Sequence, residues 1–250
     1  MKTRVISFGN HKGGVGKTTT TASVGSILAA KGYHVLVIDL DAQANLTVSL
    51  LKQEPEDSIY YALTGRRKTL PIISITEHLS IVPSSLQLAM AEMELTAAIS
   101  REKILSELLE PVKDDFDFIL IDCPPSLGLL TLNAFTASDD IIIPLIAEVL
   151  PFKGLTMIND FINQVQHRLN PKAHISGILI ARWESTKLTR EIESRLRGQL
   201  GDLVFRTKIR KNITVAEAPL ESKNIVDFDP KCNGAQDYKD FTEEILSRMV

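Results

Sequence analysis

A glycine-rich turn between an apolar β-branched run and a long helical segment constrains this chain more than any other feature. The run VISF ends at Phe8 and leads into Gly9-Asn10-His11-Lys12-Gly13-Gly14-Val15-Gly16-Lys17-Thr18-Thr19. Glycines at 13, 14 and 16 let the backbone wrap closely around an anion. The amides that open the next helix point at such an anion, and the helix dipole assists. Lys17 can reach the β- and γ-phosphates of a nucleotide, and the Thr18 hydroxyl can ligate Mg²⁺. The spacing is a variant one: the usual G-x-x-x-x-G-K pattern puts its first glycine where this chain has His11. A glycine-rich turn by itself is often no more than a strand-to-helix corner. Lys17-Thr18 at the helix start, after a strand, argues for a phosphate site.

The rest of the chain alternates short apolar runs with segments of helical period. Strands are expected at Arg4–Phe8, His34–Ile38, Leu79–Val82, Asp117–Ile121, Asp140–Pro144 and His174–Ile180. Helices are expected at Lys17–Lys31, Leu86–Ile99, Glu102–Val112, Leu127–Ala137, Gly154–Leu169, Leu188–Leu200 and Ala235–Arg248. ILI before Asp122 and III before Pro144 are apolar on successive residues, as in strands covered on both faces. The alternation predicts an α/β fold with a mostly parallel β-sheet flanked by helices. No linker, repeat or low-complexity tract divides the chain, so one domain over residues 1–250 is expected. Residues 54–76 carry the weakest pattern, with GRRK as an exposed turn.

Charge enters through its distribution. The 250 residues carry 28 Lys+Arg against 31 Asp+Glu, a net −3. That excludes a globally basic nucleic-acid binder and a polyacidic disordered chain. Residues 182–211, however, hold nine basic and four acidic side chains, a local +5, leaving −8 on the remainder. Such a segment is a candidate surface for phosphate backbones. The bland alternative is a solvated helix face with i,i+4 pairs such as Glu191–Arg195 and Glu193–Arg197. Cys123 and Cys232 are too few for a disulfide framework. The N-terminus lacks a signal-peptide pattern, and the longest apolar run, near Ile141–Ile146, is broken by Pro144. The chain therefore reads as cytoplasmic.

Three carboxylates end expected strands. Asp39 and Asp41 follow VLVI, and Asp122 follows FILI. Ligands of parallel sheets bind at the carboxyl ends of strands, so all three can face the glycine-rich turn. A helix-capping role is the alternative for Asp39 and Asp41.

KGGVGKTT with its early Lys12 resembles the deviant Walker A box of the ParA/MinD group of P-loop NTPases. Val35–Thr47, Phe118–Ala134, Lys208–Pro219 and the closing Asp229–Tyr238 are similar to the ParA branch and stand in that family's order. The resemblance implies an ATPase using ATP and Mg²⁺, slow and stimulated by a partner. It places nucleotide at Lys12, Gly13, Gly14, Val15, Gly16, Lys17, Thr18, Thr19 and Pro219. It places the metal at Thr18, Asp39 and Asp122, partly through water. Lys12 would act across an ATP-dependent homodimer, Lys17 on the phosphates in its own subunit, and Asp41 on the attacking water. Asp122–Ser126 would be a switch sensing the γ-phosphate.

The basic segment, which carries no recognition-helix motif, offers Lys187 and Arg190 for nonspecific DNA binding. The same resemblance points to Lys208, Arg210 and Lys211 there and implies plasmid or chromosome partition, a ParB-like adaptor and a place on the nucleoid. Where the family often carries I-P-R-N, this chain has Ile209-Arg210-Lys211-Asn212. The MinD branch ends in a basic amphipathic helix. Here Tyr238, Phe241, Ile245 and Met249 form the stripe, but Asp237, Asp240, Glu243 and Glu244 face the other way, which argues for core packing and against stable membrane association. The first strand starts near residue 4, leaving no expected room for an N-terminal helix-turn-helix. Two other readings remain open: an ATPase that positions a non-DNA cargo, and a MinD-like spatial regulator.

Overall fold

The unbroken apolar runs are explained by what covers them. The computed structural model describes residues 2–148 and 151–249. Its strands are β1 (Arg4–Phe8), β2 (Val35–Asp39), β3 (Ile73–Ser74), β4 (Leu79–Val82), β5 (Phe118–Asp122), β6 (Asp140–Ile146), β7 (His174–Trp183) and β8 (Val204–Arg210). They form a single sheet in the order β3-β4-β2-β5-β1-β6-β7-β8, parallel except for β3 against β4. The helices are α1 (Lys17–Ala30), α2 (Asn45–Leu50), α3 (Ile59–Leu63), α4 (Leu88–Glu94), α5 (Ile104–Leu109), α6 (Leu129–Ala137), α7 (Pro151–Arg168), α8 (Lys187–Leu200), α9 (Ile213–Glu217), α10 (Ile225–Phe228) and α11 (Asn233–Met249).

Alternate strand residues feed two cores. Ile119, Ile121, Ile143 and Ile180 pack on one face with Leu63, Leu88, Leu105, Leu130, Ile158 and Ile192 from α3 to α8. Phe8, Val37, Leu120 and Leu179 pack on the other with Val24 and Leu28 of α1 and Tyr238, Phe241 and Ile245 of α11. The stripe on α11 is therefore core, as its acidic back suggests. The result is a single α/β domain with helices on both faces.

Several expectations need correction. The span Leu86–Ile99 is not one helix: α4 stops at Glu94 and a 3₁₀ turn, Leu95–Ala97, follows. Asp237 is not on a solvated face but buried, paired with Arg210. Strand β8 falls in the segment read only as basic charge. Val204, Phe205 and Ile209 are buried while Arg206 faces solvent, the mark of a charged edge strand. The two-residue β3 and the short α2, α3, α9 and α10 fall below the length at which periodicity is readable.

Pro144 does not end its strand. β6 continues to Ile146 although it lies inside the sheet, where proline normally removes a ladder bond. Gly9 N–H donates to the Ile142 carbonyl at 3.1 Å, so even-numbered positions of β6 face β1. Beyond that point β1 has turned away into the glycine-rich loop. The missing Pro144 N–H faces no strand, and its carbonyl accepts from Asn10 Nδ2 at 2.7 Å.

Candidate nucleotide-binding site

The site forms where β1, β2 and β5 end side by side. Register pairs Phe8 with Asp122 and Asp39 with Asp122, so both carboxylates flank the start of the loop that leaves β1. A cleft of about 860 Å³ opens there, lined by Gly13, Gly14, Gly16, Lys17, Thr18 and Thr19 on one side. Asp41 and Pro125 border it, and residues 209–213, 215 and 216 with Pro219 close the far wall. Gly14 and Gly16 have φ of 71° and 89°, a region open to glycine and strained for other residues. Val15 is buried and lines nothing, leaving its backbone as its contribution.

Asn10, which the sequence pattern does not single out, fixes the loop's origin. Buried at 6% exposure, it donates to the Pro144 carbonyl and accepts from Lys12 N–H at 3.0 Å. His11 lies against Gly154 of α7, its ring filling the space where a Cβ would stand. Burial, then Lys12 and Lys17, lowers its pKa. Lys12 is exposed and its side chain does not line the cleft of its own subunit. Its carbonyl accepts from Lys17 Nζ at 3.0 Å. Burial lowers the Lys17 pKa, opposed by Asp122, Cys123 and Asp41.

The three aspartates do different work. Asp39 is fully buried with both oxygens in use: Thr47 N–H and Oγ1 donate to one at 2.8 Å each, and Asp41 N–H donates to the other at 3.1 Å. Burial pushes its pKa up to about 6 against these bonds. Asp39 therefore ties α2 to the sheet top. Asp41 holds a local turn by accepting from Gln43 N–H, and its carbonyl takes the Ser84 hydroxyl. It is half-buried at the edge of the cleft. Asp122 differs from both: it is fully buried and, among the described residues, no well-formed hydrogen bond reaches either carboxylate oxygen, the Thr18 hydroxyl standing close enough only to ease its charge. Burial, with Asp39 adding repulsion, raises its pKa well above the carboxylate range, while Thr18 and Lys17 oppose. A buried, unpartnered carboxylate is costly unless something cationic completes it. Thr18 and Asp122 supply the hard oxygen donors that Mg²⁺ takes, so the residues present fit that ion.

After Asp122, Pro124 and Pro125 stiffen the chain, and the Ser126 carbonyl accepts from Thr131 Oγ1. Glu92 of α4 reaches this segment, accepting from Leu130 N–H at 3.2 Å and filling the space beside Gly128. Cys123 is buried with its thiol pKa pushed up, which suits an inert core residue.

The candidate DNA residues divide. Lys187 and Arg190 on α8 are exposed and form no ion pair among the described residues. Lys208 pairs with Glu193 at 2.9 Å and stacks 3.8 Å over the Trp183 ring. Arg210 clasps Asp237, and Lys211 pairs with Glu184 at 2.8 Å. Arg195 and Arg197 make the expected helical pairs with Glu191 and Glu193. Much of the +5 segment is thus matched, partly by α11, which linear counting could not assign to it.

Residues 3–175 match a family model described as an AAA domain. The chain is 40% identical over 249 residues to the sporulation initiation inhibitor protein Soj of Bacillus subtilis, covering 98% of both chains. It is 35% identical over 252 residues to the chromosome partitioning protein ParA of Caulobacter vibrioides, covering 98% of this chain and 94% of that one. Among solved structures, cobyrinic acid a,c-diamide synthase of Mycobacterium smegmatis with bound ADP and magnesium superposes with a TM-score of 0.84 at 34% identity, over 98% of this chain and 94% of that one.

Proposed function

Because the chain belongs to the ParA/Soj family of ATPases, we propose that it is an ATP-gated DNA partition protein whose nucleotide site closes between two copies. It is an ATPase that uses ATP and Mg²⁺. The observation that carries this reading is Asp122, buried without a partner beside Lys17 and Thr18.

Thr18 and Asp122 would hold Mg²⁺, which would offset the negative charge of the phosphates there. Lys17 exchanges the Lys12 carbonyl for the β- and γ-phosphates. Asp39 orders α2 and so keeps Asp41 at the cleft edge, where Asp41 orients the attacking water. Phosphoryl transfer depends mainly on such placement. The exposed Lys12 ammonium is free to serve a second subunit's nucleotide. Pro125 borders the cleft, so the segment 122–126 feels the γ-phosphate and passes its loss to α6 and, through Glu92, to α4.

DNA binding would begin at Lys187 and Arg190. Lys208, Arg210 and Lys211 join by exchanging carboxylates for phosphates. Contacts of this type carry no base readout, so binding is nonspecific. A ParB-like adaptor stimulating hydrolysis releases the dimer, and the protein resides on the nucleoid in its ATP state. A second reading, an ATPase positioning a non-DNA cargo, draws on the matching of those three cations by Glu193, Asp237 and Glu184. The burial of the α11 stripe supports the absence of stable membrane association.

Titration of random-sequence duplex tests the DNA reading: binding should require ATP and fall steeply with salt. Binding that ignores both ATP and salt would refute it and favour the second reading. Lys12→Gln should keep nucleotide binding but abolish dimer-dependent turnover; full turnover refutes the role across the dimer.

A further inference from the structure

Arg182 enters the sequence reading only as one of nine basic residues. It stands 163 positions or more beyond the phosphate loop in the chain, yet the fold delivers it to the loop's edge. We propose that Arg182 is a nucleotide-binding residue whose guanidinium takes phosphate oxygens of the bound nucleotide in place of a loop carbonyl.

Three observations carry this. First, the strand breaks its own alternation to aim the side chain. On β7, Ile178 and Ile180 feed the core beneath α8, so strict period two would put residue 182 on that face. Trp183 packs there instead. The register between β7 and β8 shifts between Ile180 and Trp183, and Arg182 sits in that irregularity with φ of 51°. Few non-glycine residues adopt such a backbone, and bulges of this kind re-aim side chains beside functional sites. Second, the redirected guanidinium reaches the loop. Its Nη1 donates to the Gly14 carbonyl at 3.4 Å, and Ala181 beside it packs against Gly16. Arg182 and Ala181 both line the cleft. Third, no ion pair holds the charge there. Arg182 is exposed, and among the described residues no carboxylate pairs with it. Glu148 and Glu184 line an adjoining cleft of about 440 Å³ with Arg182, but Glu184 is taken by Lys211.

A guanidinium carries five donors in a planar fork. Here one long bond to a neutral carbonyl uses a single donor. A phosphate offers a charge-assisted, two-pronged replacement, and such bonds are roughly twice as strong as neutral ones. Lys17 makes the matching exchange on the other side of the loop, since its ammonium also rests on a loop carbonyl. The two cations would grip the phosphate chain from its own subunit, which leaves the Lys12 ammonium for a partner.

The proposal rests on the ATP-binding reading of this pocket, and calorimetry with Mg-ADP and with adenosine separates the two. Mg-ADP binding by the unaltered protein, and its loss in Lys17→Ala, tests the pocket itself. Given that binding, Arg182→Met should weaken Mg-ADP at least about tenfold, as expected for losing a charged hydrogen bond, and leave adenosine affinity unchanged. Arg182→Lys should recover part of the loss. Arg182→Asn, which suits a left-handed backbone, keeps the test valid if Met at 182 unfolds the edge. Mg-ADP affinity within twofold of the unaltered protein in both Met and Asn variants overturns the proposal. An equal loss for adenosine overturns it too, because Arg182 would then only shape the wall.

Discussion

Asn10 shows how much a single amide can organise. It satisfies the Pro144 carbonyl left bare by the departure of β1, and it pins Lys12 N–H at the first turn of the loop. Asn10→Ala strands the buried Pro144 carbonyl and releases the part-buried Lys12 N–H, at about 1–3 kcal/mol. Urea unfolding should report a loss of that size, together with weaker nucleotide binding because the loop origin is released. The sequence displays the residues whose type announces their chemistry: Lys17, Thr18, Asp122 and the glycines. It does not display Asn10, Glu92 or Arg182, whose partners lie about 134, 38 and 168 positions away in the chain. An amide in a loop has no signature until the carbonyl it meets is known. The same holds for Asp39 against Asp122: sequence makes them alike, whereas the fold occupies one and leaves the other bare.

Strand β8 teaches the complementary lesson. Its charges hide its period, because Lys208 and Arg210 look like solvent positions until Glu193 of α8 and Asp237 of α11 are set beside them. Glu244 of α11 also accepts from Arg206 and Thr207 N–H, fastening the edge of the sheet. Although burial opposes it, Glu193 titrates below its usual value because Lys208 and Arg197 hold it charged. Glu244 is likewise lowered, despite burial, by the Thr207 and Arg206 amides and by Arg248. A depressed carboxylate pKa contributes stability above the unfolded value of about 4.5, lost as pH falls through the folded value. Amide exchange in β8 should therefore accelerate relative to β1 when pH drops below about 4.5. Equal acceleration in both strands would show that the pairs do not hold the edge.

The doubly covered sheet ties every long helix to one continuous scaffold, and its phosphate loop springs from the interior strand β1. This much was legible, since alternation of apolar runs and helical periods has few topological solutions. What alternation could not supply was strand order, which decides that Asp39 and Asp122 become neighbours. With both cores sharing the same strands, unfolding should be a single transition, coincident by near- and far-ultraviolet dichroism. Mg-ATP at a hundred times its Kd should add about 2.7 kcal/mol and raise the midpoint by roughly 5–10 °C. Two separated transitions would mean that the β8 side folds independently. The contact from Lys17 Nζ to the Lys12 carbonyl has a kinetic consequence. The loop carries its own competitor, so nucleotide entry is a displacement whose speed is bounded by how often that bond opens. Because the bond uses the backbone of residue 12, substitutions of the Lys12 side chain leave this entry step intact while altering what happens between subunits. On-rate and turnover should then respond to different variants.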